Sequence, residues 1–260
     1  MTILKTDRDG GVTRLTLNTP QTLNALSDEM LAALSDALET VAADRDQRVV
    51  VIAAEGKAFC AGHDLRQMQA KRQSEDGGAA ALKDLFHRCA AVMAQIQSIP
   101  QPVIAEVHGL ATAAGCQLVA TCDMAIAADE AKFGVNGVNI GLFCSTPMVA
   151  LTRAIPRKAA FEMLTTGRFI GAEEAKGLGL VNRVVPQQDL RSAVNDLAAT
   201  LTAKLPSAIR HGKETFYRQA ELTTSEAYAF AGRVMVANML DRDTNEGITA
   251  FLEKRPPDWT

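Results

Sequence analysis

The sequence predicts an α/β protein: apolar strands alternating with helices, followed by a long helical tail. Two observations carry this. Short apolar runs rich in β-branched residues recur at 48–56 (RVVVIAAEG), 103–109 (VIAEVHG) and 123–129 (DMAIAAD). They are continuous rather than alternating, as in strands buried on both faces. From about Asp189 onward the pattern is helical almost without a break.

The elements follow in order. GGVTRLTLN (10–18) alternates apolar and polar residues before Pro20 and reads as a strand. SDEMLAALSDALETVAAD (27–44) reads as a helix. Ser27 is a good N-cap, and Asp28 and Glu29 suit the positive end of the helix dipole. Met30, Leu34, Leu38 and Val41 form one apolar stripe. The stretch from Arg66 is polar and Gly-containing, so it reads as a mobile loop before a helix that Pro100 and Pro102 end. Pro206 starts a new helix, and SEAYAFAGRVMVANML (225–240) carries apolar residues on more than one face, as helices packed against another chain do. VIAAEGKAFCAG (51–62) and VIAEVHGLATAAG (103–115) share a layout of strand, turn and helix. This is a weak internal repeat, or simply the look of any buried strand followed by a turn.

Composition narrows the function classes. The 260 residues are 47 % hydrophobic and 22 % charged, with net charge −3, and only 5 % are aromatic. A basic, aromatic nucleic-acid face is not indicated. Five cysteines, an odd number without metal-like spacing, read as reduced thiols of a cytoplasmic or matrix-like compartment, and the cytoplasm is the expectation. The N-terminus lacks the apolar core of a secretory signal, no apolar run has membrane-spanning length, and no metal site is expected.

The chemistry lies in two bare turns. Ala61-Gly62 and Ala114-Gly115 each follow a buried strand and open toward a helix. A helix N-terminus leaves main-chain N–H groups free, and small residues let a ligand approach them. Two such groups converging on one carbonyl oxygen would make an oxyanion hole without side chains. Tight helix–sheet packing is the competing explanation. The nucleotide motifs G-x-G-x-x-G and G-x-x-x-x-G-K-[ST] are absent, as are H-E-x-x-H and G-x-S-x-G.

QTLNALS (21–27), GKAFCAGHDL (56–65), VIAEVHGLATAAGCQLVATCDMAIAADEAKFGV (103–135), GLGLVNRVVP (177–186) and EGITAFLEKRPPDW (246–259) together resemble the enoyl-CoA hydratase/isomerase, or crotonase, superfamily over nearly the whole chain. GHDL and GLATAAGCQLVA are most similar to its domain-containing-protein-3 branch. The resemblance implies a spiral of ββα repeats over 1–200 and helices over 201–260 that assemble trimers or dimers of trimers. It implies a coenzyme A thioester as substrate or ligand, with coenzyme A bound only as part of it and no resident cofactor.

The same resemblance makes Ala61 and Ala114 the oxyanion donors. It places Ala25, Ala61, Asp64 and Leu65 along the coenzyme, with Phe251 and Lys254 reaching it from the C-terminus. The family's two catalytic glutamates fall on Gln117 and Gly137 here, so ordinary hydration should be weak, or the protein a non-catalytic acyl-CoA binder or sensor. Cys144 and Ser145 are the stand-ins nearest to that site, with a packed loop thiol the simpler reading of Cys144. His63 borders the coenzyme pocket, with capping or packing the simpler reading.

Overall fold

The computed structural model describes residues 2–259. β1 (Leu4–Asp9) and β2 (Val12–Leu17) form an antiparallel hairpin. α1 (Asp28–Ala43) follows, with the Ser27 hydroxyl accepting from Met30 N at 3.2 Å and all four residues of the expected stripe buried. Three turns of strand, strand and helix come next. β3 (Val49–Ala54) and β4 (Ala58–Cys60) lead to α2 (Leu65–Lys71) and α3 (Ala79–Ser98). β5 (Val103–Val107) and β6 (Leu110–Thr112) lead to α4 (Ala114–Thr121). β7 (Met124–Ala128) and β8 (Lys132–Gly134) lead to α5 (Ser145–Ala154) and α6 (Arg157–Thr166).

In each turn the first strand joins one sheet and the second joins another. The larger sheet runs β1-β2-β3-β5-β7-β10 and the smaller β4-β6-β8-β9, where β9 is Phe169–Gly171 and β10 is Arg183–Val185. β3, β5 and β7 are parallel neighbours, as are β4, β6 and β8. The repeat seen in the sequence is therefore real and forms a spiral. α7 (Ala172–Leu178) links β9 to β10.

Both faces of β3, β5 and β7 are covered, which is why these strands read as apolar runs, broken only by Glu106. Val50 and Ile52 belong to the main core, and Val49 and Val51 to a second cluster under α8 (Leu190–Thr202). β2 departs from the alternation its sequence suggests: Thr13, Arg14 and Thr16 are buried too. Arg14 is made tolerable by Glu106 Oε2 at 2.5 Å and Asn195 Oδ1 at 3.0 Å.

The expected mobile loop after Arg66 is a helix for its first part. Asp64 caps α2, its carboxylate accepting from Arg66 N at 2.8 Å and Gln67 N at 3.2 Å. The tail contains α9 (Pro206–Gln219), α10 (Thr224–Met239) and α11 (Arg242–Leu252). α9 is pinned to the core by Lys213, which donates to Ile96 O at 2.7 Å, Gln101 O at 2.8 Å and Asp123 Oδ2 at 2.7 Å. Within α10, Phe230 is buried while Tyr228, Met235, Val236 and Met239 are exposed. Among the described residues no helix is long and apolar enough to cross a membrane.

Candidate functional site

β4 and β6 are parallel neighbours, so the turns that leave them emerge side by side. Two glycines let them close. Gly62 has φ +93°, and a Cβ on it would lie 2.9 Å from Ala113 Cβ and 3.2 Å from Ala114 N. A Cβ on Gly115 would lie 2.1 Å from Cys60 O. Between them Ala113 takes φ 51° and ψ −120°, a conformation that disfavours any side chain. Such strain costs on the order of 1–3 kcal/mol and persists where the surroundings enforce it. Ala113→Gly is expected to raise the free energy of unfolding by about 1 kcal/mol, relief of strain outweighing the added chain entropy. Urea denaturation measures this, and a less stable variant would show that the alanine is unstrained.

Two N–H groups stay free where the turns meet. Ala114 opens α4 and lacks an acceptor within the helix, and among the described residues it finds none elsewhere. His63 N–H likewise has no partner among them. The expected donor Ala61 does not qualify, because its N–H is spent on Leu23 O at 3.0 Å. Leu23 is held there by its neighbour Asn24, which is fully buried. Asn24 Nδ2 donates to Glu55 O and Ala58 O at 2.8 Å each, and its Oδ1 accepts from Thr19 N at 2.9 Å. The free N–H of the AGHD motif is thus that of His63, two residues beyond Ala61.

His63, Ala113 and Ala114 line a cavity of about 350 Å³, with Gly137, Cys144 and Ser145 on its wall. Leu65, Met68, Phe86, Ile140, Leu142 and Phe143 make the rest of the lining largely apolar, and no Asp, Glu, Lys or Arg contributes to it. A larger groove of about 1110 Å³, bordered by Asp123 and Tyr217, contains none of the candidate site residues named from the sequence. The smaller cavity is therefore the candidate site.

The remaining expected residues divide. Leu65 lines the cavity, and Ala61 does so although its amide is occupied. Ala25 is buried in the adjoining loop, and the Asp64 side chain is engaged in capping α2. Phe251 is exposed, Lys254 follows α11 with φ 56°, and neither lines the cavity. Gln117 is buried but is not part of the lining, and its Oε1 has no hydrogen-bond partner among the described residues. Gly137 is on the wall, where a Cβ would meet Leu142 O at 2.2 Å and Cys144 Sγ at 2.8 Å.

The Cys144 thiol is pushed up by burial, against an opposing hydrogen bond from Gly137 N–H, so it stays protonated and is a poor nucleophile. Ser145 opens α5 with its hydroxyl 3.5 Å from Phe143 O. Phe86, Met68, Ile140, Leu142 and Phe143 were not singled out from the sequence. For Leu142 and Phe143 the one signal was an apolar GLF tripeptide standing in a turn.

A model of the family "Enoyl-CoA hydratase/isomerase" matches residues 7–260. Enoyl-CoA hydratase domain-containing protein 3, mitochondrial, from Xenopus laevis is 45 % identical over 260 residues, covering 100 % of this chain and 86 % of its own. The crystal structure of the human enoyl Coenzyme A hydratase domain-containing protein 3 superposes with a TM-score of 0.94 at 43 % identity, over 99 % of this chain and 100 % of that one. An enoyl-CoA hydratase structure from Mycobacterium smegmatis gives a TM-score of 0.96 at 55 % identity, over 100 % and 99 %. The spiral fold and the resemblance to the domain-containing-protein-3 branch hold. The expected cytoplasmic location does not: the relatives from Xenopus laevis, Rattus norvegicus and Homo sapiens, 43–45 % identical, are all named mitochondrial. An odd number of cysteines without metal-like spacing fits either compartment and does not separate the two. The chain belongs to the enoyl-CoA hydratase/isomerase family.

Proposed function

We propose that the cavity receives the acyl end of a coenzyme A thioester and that the N–H groups of His63 and Ala114 hold its carbonyl oxygen. One observation carries this reading: two strand-ending turns bring two unpartnered N–H groups to a single uncharged, mostly apolar cavity. Donors fixed by the fold need no reorganisation as charge develops on the oxygen, and one such donor is worth roughly 10²- to 10³-fold in rate. The coenzyme leaves along the Ala25 and Asp64–Leu65 segments and enters only as part of the substrate.

Acyl-CoA thioesters are expected to raise thermal stability while free fatty acids do not. Ligand linkage gives about 2.7 kcal/mol at a hundredfold excess over the dissociation constant. Thermal shift with butyryl-, octanoyl- and palmitoyl-CoA tests this, and no shift with any of them removes the assignment.

A non-catalytic acyl-CoA binder is the second reading. It is favoured by the lining, which contains no carboxylate where the family's hydratases use two. The 201–260 helices serve as the oligomerisation region, since α10 leaves Tyr228, Met235 and Val236 exposed in the single chain. A trimer or dimer of trimers is expected by light scattering at micromolar concentration, and a monomer overturns this.

A further inference from the structure

We propose that Asn136 selects the acyl chain: its Nδ2 faces the cavity and donates to a keto oxygen on the third carbon, so that a 3-oxoacyl thioester is preferred over a saturated one. This rests on the acyl-thioester reading above and names the substrate class within it.

Asn136 supplies the one carboxamide of the lining, and Thr112 lines the cavity beside it. Thr112 Oγ1 lies 2.6 Å from Asn136 Oδ1. That length is ordinary for an O–H···O bond and short for an N–H···O bond. The hydroxyl therefore donates to the carbonyl end of the amide and fixes which way it faces. Thr112 is itself only 7 % exposed, so this anchor sits in the wall.

Nδ2 is left on the opposite arm of the carboxamide. It has no hydrogen-bond partner among the described residues. Unlike Gln117 Oε1, it is not one of the unpartnered atoms shut off from solvent. Asn136 is half-buried, and Val135 and Gly137 on either side of it are buried. The accessible space that Asn136 borders is the cavity.

The register of the smaller sheet puts this donor close to the two main-chain donors. Thr112 on β6 is paired with Gly134 on the parallel strand β8, and Ala113 N donates to Gly134 O at 2.9 Å. Ala114 and Asn136 each lie two residues beyond that pair, and neighbouring strands are about 4.8 Å apart. A ligand oxygen that meets Asn136 while the thioester oxygen is held at Ala114 belongs to a carbon near the thioester. The third carbon is the first whose oxygen can stand clear of the thioester carbonyl by such a gap.

The chemistry of the wall selects the kind of oxygen. No Lys or Arg contributes to the lining, so a carboxylate on the chain would be stripped of water without a cation to replace it. An amide nitrogen only donates, and a keto oxygen only accepts. A hydroxyl would bring a hydrogen of its own, and Asn136 Oδ1 is already taken by Thr112. A saturated chain laid over Nδ2 would cover a donor and return nothing.

The test is calorimetry with butyryl-CoA, 3-oxobutyryl-CoA and 3-hydroxybutyryl-CoA. Wild type is expected to bind the 3-oxo compound roughly two- to tenfold more tightly than butyryl-CoA, the worth of one neutral hydrogen bond, with the 3-hydroxy compound between them. In Asn136→Ala the ratio of 3-oxobutyryl- to butyryl-CoA affinity should fall to about one, a change that a general loosening of the cavity would not produce. Should Asn136→Ala fail to fold, Thr112→Val carries the test: valine keeps the shape and frees the amide to turn, so the same ratio should fall. Equal binding of the 3-oxo and saturated compounds by wild type overturns the proposal and leaves the acyl-thioester reading intact. So does a ratio unchanged in the folded variant, or tighter binding of the 3-hydroxy than of the 3-oxo compound. Absence of binding of all three by wild type overturns both readings.

Discussion

Lys213→Met is expected to lower the free energy of unfolding by about 3–5 kcal/mol, the typical loss when one partner of a buried pair is removed. The side chain of Lys213 is 6 % exposed and that of Asp123 is 13 % exposed. Burial lowers the Lys213 pKa, and Asp123 opposes this by favouring the ammonium. Asp123 is a junction: Oδ2 accepts from Val103 N at 2.6 Å and from Lys213, and Oδ1 accepts from the Tyr217 hydroxyl at 2.7 Å. The ammonium also serves the carbonyls of Ile96 and Gln101, at the end of α3 and just before β5. Methionine fills the volume but leaves a carboxylate and two carbonyls short of a donor, and α9 loses its anchor. Lys213→Met together with Asp123→Asn should recover part of the loss, because the unpaired charge is gone. Urea denaturation at fixed protomer concentration is the measurement, since assembly contributes to apparent stability. A loss below about 1 kcal/mol would mean that the pair contributes no more than one exposed on the surface.

The parts of the fold legible in the sequence are those whose side chains obey one simple rule. α1 was legible because Ser27, Asp28 and the 30/34/38/41 stripe agree, and the helix is amphipathic. β3, β5 and β7 were legible because burial on both faces leaves an apolar run of five or six residues. β4, β6 and β8 have three residues each, too few to display a period, so the second strand of every repeat was read as part of a turn. α2 was missed because its six residues from Arg66 to Lys71 present no apolar stripe; Asp64, its cap, was the available signal. β2 was misjudged because a helix far along the chain covers its second face: Arg14 finds its partners on β5 and, 181 residues away, on α8.

At the site, the motifs and the resemblance located both turns. They could not say which amide in AGHD is free, since that depends on where the Leu23 carbonyl falls. Nor could they say that position 137 has no room for a side chain.

That last fact decides what crotonyl-CoA hydration should show. Wild type is expected to hydrate it at least roughly 10²- to 10⁴-fold more slowly than a family hydratase, the worth of one positioned acid or base. Addition of water needs a group to activate the water at the β carbon, and the cavity lining offers no carboxylate for that task. An amide at Gln117 cannot take up a proton. Restoring acids to both positions is not expected to repair this. Gln117→Glu would set its carboxyl where Oε1 is now buried without a partner, and desolvation would hold it protonated. Gly137→Glu would drive a Cβ to within 2.2 Å of Leu142 O, a main-chain atom that moves only if the loop moves. Gly137 does not have positive φ, so the obstacle is contact rather than backbone conformation. The double variant should therefore lose stability and gain no hydration, as followed by the decay of enoyl absorbance beside a denaturation curve. A wild type as fast as a family hydratase would mean that His63 or another group activates the water. A folded double variant that hydrates would mean that the 137–144 loop yields. The expected pattern, thioester binding without hydration, separates the two halves of the chemistry. The two free N–H groups are placed to hold a carbonyl oxygen, and the lining offers no carboxylate to activate water.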